Sequence, residues 1–155
     1  MSYIIKISNR QRRFRLNRAG IEELAGQVLA GEGVSEGEIS LLFLNNKRIR
    51  VLNRQYLGRD YPTDVLSFPQ NEGSDRNIYP WFLGDVVLST ERIIHQAPIH
   101  GQNVKDELAL CLIHGILHLL GYSDQPSDCR EIMRMREEAL LKSWMEMKSG
   151  SLIAG

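Results

Sequence analysis

The chain has 155 residues and a mass of 17.7 kDa, enough for one domain and hardly more. With 43% hydrophobic and 25% charged residues it has the composition of an ordinary globular protein, which excludes disordered, collagen-like and coiled-coil chains. The net charge is zero, yet residues 1–60 carry eleven Lys/Arg against six Asp/Glu, and residues 61–155 carry eight against thirteen. The basic first part suits a polyanionic partner as well as it suits a plain solvated face. No apolar run approaches the eighteen or so residues of a membrane span. The first residues, MSYIIKISNRQRRF, lack the cleavage pattern of a signal peptide. Cys111 and Cys129 are too few for a disulfide scaffold. The expectation is a soluble, cytoplasmic domain with no membrane partner.

Residues 3–7 (YIIKI) read as a strand. A helix is expected from Arg18, capped by Asn17, to the Gly31–Gly33 pair, with Ile21, Leu24, Val28 and Leu29 at helical spacing. Residues 38–44 are apolar without alternation, the mark of a strand buried on both faces. A second helix runs from a cap at Asn45 to Gly58, with Ile49, Leu52 and Tyr56 inward and Lys47, Arg50 and Arg54 outward. Residues 63–68 form a third strand, 69–80 a loop, and 81–88 a fourth strand whose Gly84 marks a bulge or a close backbone approach. Helices follow from Ser89 or Thr90 to about Pro98, from Asn103 to Leu120, and from Ser127 to Met147. The fold class is α+β: a single domain over residues 1–155, with one mixed four-stranded sheet and about five helices packed mainly on one face.

The segment CLIHGILHLLGYSD carries the chemistry. His114 and His118 stand four apart on a predicted helix, so both rings leave one face at the spacing that lets two imidazoles reach one ion. Gly121 ends the helix and turns the chain back. Asp124, six residues past His118, then arrives beside the pair. Cys111 lies seven residues before His118, about 10 Å at the helical rise, and reads as a buried core thiol. Two imidazoles and one carboxylate leave a fourth position open, as catalytic rather than structural zinc sites do.

HGILHLLGYSD resembles the HGxLHLxGYDH signature of the bacterial YbeY family, the zinc-dependent endoribonucleases of rRNA maturation. LNRQYLGRDYPTDVLSFP, LGDVVLS and DELALCLIHG resemble further family segments in the family's order, over roughly residues 40–125. Two positions depart from the family. Asp124 stands where it usually has a third His, an acceptable ligand that alters metal preference. Leu57 stands where it has an Arg after the Tyr; Arg59 either replaces that Arg or is a surface charge.

The resemblance implies a metal-dependent endoribonuclease acting on ribosomal RNA precursors. One Zn2+ per chain would be held by His114, His118 and Asp124, with the ribosome or its proteins as partners. RNA would lie across basic residues that include Arg48, Arg54 and Arg59. No residue is assigned as general acid, base or nucleophile, and no organic cofactor is expected. The HxxxHxxGxx pattern also matches a metzincin-like protease helix, but its glutamate base is replaced by Gly115. A two-His, one-Asp iron oxygenase remains a reading against the helix-rich pattern. So does a ribosome-binding module whose metal only holds the turn. Asp64 and Asp85 are read as supports of the metal helix or of a turn, and Glu107 either as a neighbour of His114 or as a surface charge. His95 and His100 are read as surface or loop histidines. Most of Met133, Met135, Met145 and Met147 are read as packing residues.

Overall fold

A computed structural model of the chain describes residues 2–70, 80–147 and 151–154. Most of the expected loop, residues 71–79, lies outside the described residues. In chain order the elements are β1 (Ser2–Asn9), β2 (Arg15–Leu16), α1 (Arg18–Gly31), β3 (Glu36–Leu44), α2 (Asn46–Leu57) and β4 (Val65–Pro69). They continue with β5 (Phe82–Ser89), α3 (Thr90–Gln96), α4 (Val104–Leu119), α5 (Ser127–Glu146) and β6 (Ile153–Ala154).

The caps decide the helix starts. Asn17, Asn45, Ser89 and Asn103 each accept from a backbone N–H in the first turn of the helix that follows, answering a donor the helix itself leaves free. Gly58 closes α2 in the left-handed region at φ 69°.

The main sheet has the order β1-β3-β5-β4, parallel except for β4, which pairs antiparallel with β5. The β3–β5 register shifts between Glu38 and Ile39, opposite Phe82 and Gly84, which makes Gly84 part of a bulge. A side chain at Gly84 would place its Cβ 2.4 Å from the Phe68 carbonyl oxygen, so the close approach is real as well. Arg15–Leu16 and Ile153–Ala154 form a separate two-stranded antiparallel ribbon that the sequence pattern does not announce.

Alternate residues of β3 feed two cores. Ile39, Leu41 and Phe43 join Leu24, Val28, Ile93, Leu112 and Ile116 in the larger one, which α1, α3, α4 and α5 cover. Leu44, with Leu66, Val87 and Ile49 of α2, forms a smaller cluster on the other face. The unalternating run in residues 38–44 therefore has the expected cause: β3 is covered on both sides. Within α2 the inward residues are Ile49, Leu52 and Asn53. Tyr56, expected inward, is 60% exposed and rests edge-on against Phe68 at the rim.

Candidate metal centre

The long helix α4 lies directly on the sheet because Gly115 has no side chain. A Cβ there would sit 2.5 Å from Val86 Cγ1 and 3.0 Å from Val65 Cγ2. The Gly115 carbonyl accepts from Ser67 Oγ at 2.8 Å, which ties the helix to β4. The position next to the first histidine thus faces the sheet, and a protease-type glutamate at 115 would have no room. His114 and His118, one turn apart, point instead toward the turn that follows α4.

That turn begins at Gly121, φ 103°, and returns Asp124 to the two rings. His118 Nε2 lies 3.1 Å from His114 Nε2 and 3.2 Å from Asp124 Oδ2, and His114 Nε2 lies 4.0 Å from the same oxygen. The other ring nitrogens are engaged. His118 Nδ1 donates to the Tyr122 carbonyl at 3.0 Å, and His114 Nδ1 donates to Glu137 Oε1. With both N–H groups turned away, two lone pairs and a carboxylate oxygen converge on one point. Ligand atoms on a tetrahedral zinc with bonds of 2.0–2.1 Å stand about 3.3 Å apart, so the triangle suits such an ion. The three side chains can together hold a metal.

The surroundings favour positive charge. Burial opposes protonation of His114, but the hydrogen bond and charge of Glu137, helped by Asp124 and Asp64, outweigh it and raise its pKa above the usual value. The turn is anchored from outside as well. Tyr122 donates its hydroxyl to Glu32 Oε2 at 2.7 Å, and Arg136 of α5 donates to Glu32 Oε1. A cleft of about 540 Å³ opens over the triad, walled by Leu57, Arg59, Tyr61, Thr63, Ser67 and Ser123 among others. Leu57 and Arg59 share this wall, so a guanidinium is present at the cleft although position 57 is apolar.

Several expectations take definite form. Cys111 is buried, donates to Asp64 and stays out of the triad; burial and the neighbouring Asp64 and Glu107 push its thiol pKa far up. Asp64 is a support: it accepts from the Val65 backbone, Gln96 and Cys111, joining the strand entry to α3 and α4. Glu107 is neither a surface charge nor a neighbour of His114; it is 1% exposed and pairs with His100 at 3.0 Å. His100 is thus a partly exposed cap over a buried carboxylate, while His95 is exposed. Asp85 faces away from the metal helix, beside Arg10, Ser40 and Arg48 in a groove of about 770 Å³ on the α2 side of the sheet, where burial raises its pKa. Arg48 is therefore remote from the cleft, and Arg54 stands 3.8 Å from Asp60, a carboxylate it shares with Arg50. Of Met133, Met135, Met145 and Met147, Met133 packs and the other three are exposed. Glu137 is the residue that the sequence reading missed.

A family model described as "Endoribonuclease YbeY" matches residues 6–145. The chain belongs to the YbeY family. A YbeY protein of Pelotomaculum thermopropionicum is 42% identical over 143 residues, 88% of this chain and 94% of that protein. The YbeY of Syntrophus aciditrophicus is 36% identical over 138 residues (89% and 86%), and that of Bacillus licheniformis 34% over 152 residues (93% and 96%). All three are called Endoribonuclease YbeY. In fold, the chain is similar to the solution structure of TM1509 from Thermotoga maritima, with TM-score 0.61, 22% identity and 94% of each chain covered. The YbeY assignment agrees with the α+β architecture, and no helix among the described residues is long and apolar enough to cross a membrane.

Proposed function

We propose that the protein is a metal-dependent endoribonuclease of ribosomal RNA maturation and ribosome quality control, working in the cytoplasm on precursor RNA with the ribosome or its proteins as partners. The observation that carries this reading is the triad: in a chain of the YbeY family, His114 Nε2, His118 Nε2 and Asp124 Oδ2 converge with their donors turned away. One zinc ion held there would supply a Lewis acid for a phosphodiester. The chain's own residues do the rest. Asp124 and the two imidazoles hold the ion, and Arg59 on the cleft wall meets a backbone phosphate as a positioning contact that reads no base.

The protease reading lacks a base, since Gly115 faces the sheet. Incubating the purified chain with labelled rRNA precursor and with an unfolded protein substrate, before and after chelation, tests the proposal. RNA cleavage that disappears on chelation and returns with zinc is expected. Cleavage that survives chelation, or cleavage of the protein substrate alone, contradicts it.

A further inference from the structure

Helix α5 brings a carboxylate onto its buried face. Met133 and Trp144 are buried on this helix, Leu140 packs against the same core, and Glu137 falls in line with them at helical spacing. The Glu137 side chain is only 14% exposed. A carboxylate so placed loses hydration and needs a partner. Its partner is His114 Nδ1, 23 residues earlier and on a different helix.

The consequence follows from imidazole chemistry. A neutral ring carries its proton on one nitrogen or the other, and only the bare nitrogen can ligate a metal. Because an ionised carboxylate accepts and never donates, the contact puts the hydrogen on Nδ1 and the lone pair on Nε2, facing His118 and Asp124. His118 receives the same instruction from the main chain, through the Tyr122 carbonyl. His114 receives it from a side chain alone. Glu137 does not line the cleft, and its contact with the triad runs through the imidazole of His114.

We propose that Glu137 is the positioning residue of the metal centre, holding His114 in the tautomer and ring orientation that present Nε2 to the ion. This rests on the reading of His114, His118 and Asp124 as metal ligands. It also makes the docking of α5 part of the centre, since the helix that packs through Met133 and Trp144 delivers the carboxylate.

The test uses the metal-free full chain, titrated with Zn2+ and with Co2+ as a spectroscopic probe, in wild type, Glu137→Gln and Glu137→Leu. Gln keeps an acceptor oxygen but loses the charge; Leu fills similar space and offers no acceptor. Zinc affinity should fall in the order wild type, Gln, Leu, with a loss of about 10- to 100-fold for Leu. The metal-free Leu variant should melt below wild type at acidic pH, where the His114 pair adds stability, and approach it at alkaline pH, where His114 is neutral, so affinities are compared on folded protein at alkaline pH. Long-range 1H–15N spectra of the metal-free wild type at alkaline pH should show His114 protonated at Nδ1. A folded Leu variant that binds zinc within two-fold of wild type overturns the proposal, and so does a wild-type His114 ring protonated at Nε2. Wild type that takes up no zinc overturns the underlying metal reading, an outcome distinct from the other two.

Discussion

His114 and His118 face each other with Nε2 atoms 3.1 Å apart, while each ring's Nδ1 is committed to an acceptor elsewhere. Two neutral imidazoles held this way direct lone pair at lone pair, which only a cation or a proton between them relieves. Metal and proton therefore compete for one place.

That competition sets a pH dependence. His114 has a raised pKa, because the Glu137 hydrogen bond and charge outweigh the opposing effect of burial. In the metal-free protein, the stability from this ion pair is fully present below the unfolded-state pKa. It is lost as pH rises through the higher folded-state value. Zinc affinity should move the other way, climbing with pH until His114 has deprotonated. Isothermal titration from pH 5.5 to 8.5 should place that climb above the usual imidazole range near 6.5. A flat profile would remove the proton from the site.

Asp124 is the carboxylate that the turn after α4 brings to the two imidazoles, and the turn chemistry assigns the role of its neighbour. Ser123 Oγ donates to the Gln125 carbonyl and accepts from the Gln125 N–H, so it serves the turn. Asp124→Asn should weaken zinc binding by about ten-fold or more. Asp124→His should retain an ion, and Ser123→Ala should change metal content little. Elemental analysis of the three variants checks this; loss of metal in Ser123→Ala with retention in Asp124→Asn would reverse the assignment.

Gly115 fixes how closely the ligand helix approaches the sheet. In Gly115→Ala the new methyl meets Val86 Cγ1 at 2.5 Å. Overpacking of this kind costs about 1–3 kcal/mol, despite the better helix propensity of alanine. Chemical denaturation should show the loss, and zinc affinity should fall with it as α4 is displaced. Unchanged stability would mean that the contact is slack.

The arginines differ in what they have left to offer. Arg59 lines the cleft. Arg54 and Arg50 share Asp60, and Arg134 lies on α5 between Glu131 and Glu138. Arg59→Glu should weaken RNA binding and reduce its salt dependence by roughly one phosphate contact, whereas Arg134→Glu should do little, with Arg54→Glu between them. Equal losses at all three, measured by fluorescence anisotropy across salt, would argue against RNA in this cleft.

The helices were legible because their signals are local: Asn17, Asn45, Ser89 and Asn103 each cap within three residues, and Gly58 and Gly121 turn left-handed where no other residue sits easily. His114, His118 and Asp124 were legible for the same reason, since one helical turn and one reversal bring them together. What depends on distant packing was not. The ribbon of Arg15–Leu16 with Ile153–Ala154 has two residues per strand, too few to display alternation. Tyr56 lies at the rim because Asn53 takes the inward place and donates to the Tyr61 carbonyl, securing the turn after α2. Arg48 lies in the first turn of α2 and Arg59 just past its end, yet they open on different cavities, because a helix of twelve residues separates its ends by about 18 Å. Glu137 did leave a trace, a carboxylate at stripe spacing between Met133 and Leu140, but its meaning required knowing that α5 packs on α4.

The most direct measurement is a zinc titration of the chelated protein, followed in the same samples by cleavage of an rRNA precursor, with wild type beside His118→Ala. Cleavage by wild type should rise linearly and level at one ion per chain, and His118→Ala should neither retain the ion nor cut. Full cleavage by the chelated wild type, or by His118→Ala, would show that the triad is not where RNA is cut.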